Sequence, residues 1–368
     1  MAIGILCREE LKEYDFGLGH PFRGDRYIRF PAFLRGSLPE NDNYKIIAAD
    51  AATEEDLLLI CGKEYIEFTR EYYRAANLGL TYPGQFSRFH SLDNLPVGKP
   101  GKIEQAARLV VGQAKMACDM VQAGHYDKVV SVGGGLHHAK HSYGEGFCLY
   151  NDVAFCGLYL LQHYKLERIL VLDTDAHAGN GTCEYFYNES RVLFIDIHQD
   201  PKTIYPGTGF VQQIGSGRGE GYTINIPMPV NAGYDSYRLV FESIVEPVAR
   251  EFQPQIIVRN GGSDPYLDDG LTSLGLPLKG LRLIGEKVRK LSEICDGRVV
   301  DLIASGYNEQ ILPYAWLALI AGLANFKFEI EEVEPIPQRF IGDLGLTGTE
   351  KVVQQARDHL RDYWVCLR

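Results

Sequence analysis

No two cysteines in this 368-residue chain are spaced as Cys-x-x-Cys, although eight cysteines are present. That spacing excludes a structural zinc knot built on thiolates. The eight read as reduced, mostly buried small hydrophobes, so any metal must be held by nitrogen and oxygen. No apolar run is long enough to cross a bilayer, and Met1–Lys12 lacks the basic-then-apolar order of a secretory signal. The expectation is a cytoplasmic protein with no membrane partner. Positive charge is in deficit: 37 lysines and arginines stand against 48 acids, a net charge of −11. Such a balance argues against nonspecific nucleic-acid binding, which needs a basic face, and is compatible with a cationic substrate. Low-complexity tracts, repeats and linkers are missing too, so residues 1–368 are read as one domain.

What the chain does have is an ordinary globular composition, 45% hydrophobic and 23% charged, and a series of short apolar runs. These are Lys128–Val132, Ile169–Asp173, Val192–Ile197, Ile256–Val258 and Val299–Ala304. Runs without alternation read as strands buried on both faces, as in a parallel sheet. Helical patterns lie between and around them, over Lys102–Gln122, Asp152–His163, Ser236–Phe252, Leu278–Cys295 and Gln310–Ala324. Strands alternating with helices predict a three-layer α/β/α fold with a central, mostly parallel sheet. Polar residues cluster just after the carboxyl ends of the strands, the edge where ligands bind in such sheets.

The densest cluster is Asp173-Thr174-Asp175-Ala176-His177-Ala178-Gly179-Asn180-Gly181. Asp175 and His177 are two residues apart, which in extended chain puts both on one side. Two acids and a histidine at a buried strand end would be costly unpaired, so half of a metal site is the better reading than a solvated turn. Asp264, in Asn260-Gly261-Gly262-Ser263-Asp264, follows another apolar run and is the candidate third ligand. An Asp-His-Asp set offers Zn²⁺ two negative charges and leaves positions open for water and a carbonyl oxygen. His137 and His138, after three glycines, read as proton-transfer groups. Asp173 and Asn180 could each accept a hydrogen bond from one ring. A carboxylate partner favours imidazolium and an amide does not, so the two histidines should differ in proton affinity. Tyr307, after Val299–Ala304, could donate to a developing oxyanion.

Five motifs in order make the chain resemble the histone-deacetylase superfamily, which includes acetoin-utilisation proteins and acetylpolyamine amidohydrolases. They are Gly133–Asp152 (GGGLHHAKHSYGEGFCLYND), Asp173–Gly181 (DTDAHAGNG), Ile204–Gly209 (IYPGTG), Gly261–Asp264 (GGSD) and Ser305–Asn308 (SGYN). The resemblance implies a zinc-dependent amidohydrolase with one Zn²⁺ on Asp175, His177 and Asp264. It pairs His137 with Asp173 as an electrostatic helper, and makes His138, paired with Asn180, the general base and then general acid. Tyr307 would bind the substrate carbonyl. Gly146, Phe147, Tyr205 and Leu271 would wall a narrow acyl-lysine tunnel. A structural potassium is implied under Asp173, Asp175, His177, Asp196 and Ile197, and a second near Phe186 and Tyr222. The chain departs from the family pattern at three positions: Asn180 stands where many members carry Asp, Tyr205 where many carry Phe, and Asp196 where Ser is common. All three resemble the class IV deacetylases and some prokaryotic relatives. Polyamine-selective members place an acid where this chain has Leu271, and the family's rim aspartate has only a loose match in Asp93.

The implied substrate is an acyl-lysine or a related acylated amine, with acetylpolyamines or small-metabolite amides as alternatives. A two-metal ureohydrolase would need another carboxylate two residues after His177, where Gly179 stands. A silent acyl-lysine reader would have no use for the complete set of ligands, histidine pair and tyrosine. The Gly19–Arg29 and Gln85–Gly101 loops are expected to shape the rim.

Overall fold

Each of the apolar runs becomes a strand, and three further segments join them in one sheet. The computed structural model describes residues 2–41, 43–80 and 85–368. The strands are β1 (Ile3–Leu6), β2 (Tyr44–Ile47), β3 (Lys128–Val132), β4 (Ile169–Asp173), β5 (Val192–Gln199), β6 (Thr223–Met228), β7 (Ile256–Asn260) and β8 (Val299–Ile303). Their order is β2-β1-β3-β8-β7-β4-β5-β6, and every pairing is parallel. Consecutive side chains of a strand point to opposite faces, and in β4, β5, β7 and β8 every residue is buried. Both faces of the sheet are therefore covered, the three-layer arrangement that such runs predict.

The expected helices form with small changes of boundary. Ile103–Gln122 and Asp152–Gln162 are regular. The 236–252 pattern is a single helical stretch interrupted by a wider π turn at Phe241–Val245. Leu278–Leu291 packs on Leu312–Ala324, which begins two residues later than its pattern suggested because Ile311 takes the cap position. Leu312–Ala324 is apolar nearly all round and almost wholly buried, as a helix enclosed on every side must be. Its Trp316 indole donates to the Ser305 carbonyl at 2.9 Å, tying the helix to the loop that carries Tyr307.

One buried ion pair crosses the middle of the sheet. Arg259 of β7 and Asp301 of β8 are register partners and hydrogen-bond to each other, both at most 2% exposed. Burial pushes the Asp301 carboxyl up despite that partner. The pair lies just below the strand ends that matter chemically.

Candidate active site

Four strands that are neighbours in the sheet, β3, β8, β7 and β4, deliver their carboxyl ends to one place. β4 ends at Asp173, and the chain then bends through Asp175–His177 instead of continuing as a strand. The extended-chain argument for Asp175 and His177 is thus replaced by a local one. The Asp175 carboxylate accepts the His177 main-chain N–H at 2.9 Å, and Asp173 accepts that of Asp175 at 3.0 Å. These bonds curl the bend so that both side chains face β7. From there Asp264 meets them, with His177 Nδ1 2.9 Å from its Oδ2 and 3.1 Å from Asp175 Oδ1. The Ser305 hydroxyl donates to the other Asp264 oxygen at 2.8 Å and fixes that carboxylate.

The three ligand atoms lie within 4.8 Å of one another and all three residues are buried. Such spacing suits a small ion with bonds of about 2.0–2.2 Å to nitrogen and oxygen. The electrostatics agree. Burial, then the neighbouring Asp175 charge, pushes the Asp264 carboxyl up. Burial opposes charge on His177, but Asp175 and Asp264 together hold it up at about 10. Two buried carboxylates sharing one imidazole form a site that a divalent cation would neutralise. Among the described residues this is the single such cluster of three or more. Gly179, two residues on from His177, has no side chain to offer an ion; its N–H donates to Asp196 and its carbonyl accepts the Cys183 N–H.

The histidine pair sits beside this cluster. His137 Nδ1 lies 2.8 Å from Asp173 Oδ2, and His138 Nδ1 lies 2.7 Å from Asn180 Oδ1. The two Nε2 atoms are 3.1 Å apart. Burial works against a charge on His137, yet the Asp173 and Asp175 carboxylates hold it up at about 9. His138 moves the other way: burial and the charges of His137 and His177 hold it well below the ordinary imidazole value. The rings therefore split into one that keeps a proton and one that keeps a lone pair. Asn260, at the end of β7, donates from Nδ2 to both Asp173 oxygens at 2.9 Å.

A model of the histone deacetylase domain matches residues 20–323. The chain belongs to the histone deacetylase family. It is 33% identical to a "Probable deacetylase" of Archaeoglobus fulgidus over the full length of both chains. It is also 33% identical to the acetoin utilization protein AcuC of Staphylococcus xylosus, across 86% of this chain and 82% of that protein. The solved HDA15 HD domain superposes on 100% of this chain and 97% of its own, with a TM-score of 0.83 at 23% identity, a likeness of fold.

Above the ligand cluster of this histone deacetylase-family chain opens a cavity of about 430 Å³. His177, His138 and Tyr307 line its floor side; Gly146, Phe147, Tyr205 and Leu271 line its walls. Asp93, Thr203 and Ile204 also line it; Ile204 opens one of the five motifs and Asp93 is the loose match to a rim acid, whereas Thr203 belongs to no motif. The Tyr307 ring stands edge-on to His177 at 6.4 Å and to Phe147 at 6.1 Å. Burial, then the Asp264 charge, pushes its phenol well above the ordinary value, so it stays a donor. Asp269 holds the Tyr307 main-chain N–H at 2.7 Å and that of Leu271 at 2.9 Å.

Gly146 and Phe147 both have left-handed backbones, with φ of 60° and 64°. A Cβ on Gly146 would come within 2.2 Å of the His138 ring, so glycine is what lets the backbone at 146 approach that ring. Phe147 is braced by the first rim loop: His20 packs edge-on at 4.7 Å, and the Tyr14 hydroxyl donates to its carbonyl at 2.6 Å. The second rim loop supplies Asp93, whose carboxylate accepts the Gly146 N–H at 2.9 Å. Tyr205 stands edge-on to His138 at 5.1 Å. Burial, then the Glu145 and Asp93 charges, keeps its hydroxyl protonated.

Below the cluster, Asp173 and Asp196 are register partners in β4 and β5. The Asp196 oxygens already take His198 Nδ1 at 2.8 Å and the Gly179 N–H at 2.9 Å. The Phe186 carbonyl accepts from Glu189, and that of Tyr222 from Phe194, each at 2.9 Å; a carbonyl has a second lone pair to offer.

Proposed function

We propose that this chain, a deacetylase-type amidohydrolase by its family, uses one zinc ion to hydrolyse an acyl-lysine or related acylated amine. The observation that carries the reading is the buried Asp175, His177 and Asp264 cluster at the floor of a cavity walled by Phe147 and Tyr205. That shape admits a linear acylated chain and presents its amide to the polar floor. When bound, zinc supplies Lewis acidity to the acyl carbonyl and to the attacking water.

The remaining steps belong to the protein. His138, with a lone pair on Nε2, takes a proton from water as it attacks, and then gives that proton to the leaving amine. His137, charged against Asp173, stabilises negative charge developing beside it. Tyr307 donates its hydroxyl hydrogen to the acyl oxygen as that oxygen becomes negative. The two bulky rings at the wall exclude water from the chain of methylenes. Asp93 sits at the cavity lining with a carboxylate able to accept N–H groups from whatever carries the acylated amine. A single cluster, with Gly179 in place of a bridging acid, supports one metal ion over two. Potassium beneath the cluster would rest on main-chain oxygens around Asp173, Asp175, His177, Asp196 and Ile197, because the Asp196 oxygens are engaged. A second would draw on Phe186 and Tyr222.

The test is a substrate panel of acetyl-lysine peptides, acetylpolyamines and longer acyl-lysines, run after chelation and again after zinc is restored. Hydrolysis of an acyl-lysine peptide that is lost on chelation and regained at one zinc per chain is the expected result. Turnover that survives chelation, or two metal ions per chain at full activity, would overturn it. Preference for acetylpolyamines would keep the mechanism and move the substrate.

A further inference from the structure

Asn180 has two chemically opposite ends of almost the same shape. An oxygen that accepts and a nitrogen that donates can exchange places by a half-turn of the side chain, and only the surrounding hydrogen bonds decide which faces where. The contact between Asn180 and His138 does not decide it. With Oδ1 facing the ring, His138 carries its hydrogen on Nδ1 and keeps the Nε2 lone pair, beside His137 Nε2 at 3.1 Å, as an acceptor. With Nδ2 facing the ring, Nδ1 must accept, the hydrogen moves to Nε2, and the atom needed as a base is blocked.

On the far side of the carboxamide stands Glu145, with Oε1 2.8 Å from Asn180 Nδ2. An ionised carboxylate has no hydrogen to give. It can face only the NH₂ end, which turns Oδ1 toward His138. Lys140 Nζ lies 3.1 Å from the same Glu145 oxygen, and Glu145 itself is held in a tight turn, where its carbonyl accepts the Cys148 N–H at 3.0 Å. Its side chain is 15% exposed.

We propose that Glu145, anchored by Lys140, is a positioning residue that sets the Asn180 flip and through it the His138 tautomer. A carboxylate at position 180 would need no such selector, since both of its oxygens accept. The proposal rests on the reading of His138 as the base.

Epistasis between positions 145 and 180 tests it. Glu145→Ala is expected to lower kcat roughly 10- to 100-fold, the range for outer hydrogen-bond partners of site histidines, with KM little changed. In Asn180→Asp, the new carboxylate faces Glu145 directly, so the single variant should be impaired and Glu145→Ala should raise its activity. Harm in one background and rescue in the other is a sign change that general loss of packing does not produce. Imidazole ¹⁵N spectra give a second readout, with His138 assigned from His138→Asn. The Nδ1–H form is expected in the parent and a mixture of tautomers in Glu145→Ala. Equal losses in both backgrounds, or an unchanged His138 tautomer in Glu145→Ala, would overturn the proposal. Should His138→Asn keep full turnover, the base assignment fails, while the tautomer spectra still judge Glu145.

Discussion

In the proposed mechanism, removing the hydroxyl of Tyr307 takes one hydrogen bond from the acyl oxygen at the moment it becomes charged. A preorganised donor in a site sheltered from water is worth about 2.7–4 kcal/mol there. Tyr307→Phe is expected to reduce kcat on an acetyl-lysine peptide by two to three orders of magnitude, about tenfold per 1.36 kcal/mol. Steady-state kinetics check this, and near-normal kcat would remove the tyrosine from the mechanism. Residues with chemistry of their own were legible before any coordinates: acids, histidines and a tyrosine after apolar strands have few inexpensive explanations. Their supports were not. Asn260, Ser305 and Asp269 act by donating or accepting one bond to a partner distant in sequence. Nothing in a one-dimensional pattern distinguishes such a residue from a turn former. Asp93 was only a loose match because its role depends on where a loop of irregular backbone ends up.

Strands and helices divide in the same way. Buried central strands such as Ile169–Asp173 announce themselves because both faces demand apolar side chains. β1 and β2 have only four residues each, and β6 mixes threonine and asparagine into its run, so length and polarity hide them. The β7–β8 pairing carries a prediction. Asp301→Ala would leave the Arg259 guanidinium buried without a charged partner, with only a 3.5 Å contact to the Thr174 hydroxyl, a loss of about 3–5 kcal/mol when one half of such a pair is removed. Chemical denaturation should show that drop, and a stability unchanged within error would mean Arg259 finds another acceptor. The helix Lys63–Asn77 and the second rim loop meet at His90, fully buried, with Nε2 2.9 Å from Thr69 Oγ1. Burial pushes His90 down to about 3 from 6.5. The folded state keeps this ring neutral while the unfolded chain protonates it below about 6.5. The unfolded state therefore binds one proton more across that window, and His90 makes stability fall as pH drops from 6.5 toward 3. The slope from this group is about 1.4 kcal/mol per pH unit. His90→Gln should show a shallower loss between pH 6.5 and 4.5 in denaturation curves, and an identical slope would disprove the assignment.

For the molecule as a whole, a metal held by the Asp175, His177 and Asp264 cluster would couple folding to metal binding. Asp175, His177 and Asp264 come from two strand ends that neighbour each other only in the folded sheet, so the unfolded chain has no comparable site. Zinc at 100 times its Kd should stabilise the protein by about 2.7 kcal/mol, read as a rise in Tm of the chelated protein when zinc is added. Asp264→Ala should abolish that rise, and a full rise in the variant would locate the ion elsewhere. Overall class and layer order were readable from alternation of runs alone. Strand order was not, because crossings between β3 and β4 leave room for β7 and β8, which arrive last in sequence.

That late insertion separates two kinds of part. The floor comes from four adjoining strand ends, rigid and enclosed, whereas the walls come from loops at 93, 146–147, 203–205 and 271 that reach in from elsewhere, with Tyr14 and His20 bracing Phe147. Tyr205 and Leu271 are 40% and 42% exposed and are not members of the Asp175, His177 and Asp264 cluster. A combinatorial library confined to 203–205 and 271 should therefore retune which acyl groups are admitted while leaving the hydrolytic machinery intact, making this scaffold a platform for grafting new selectivity.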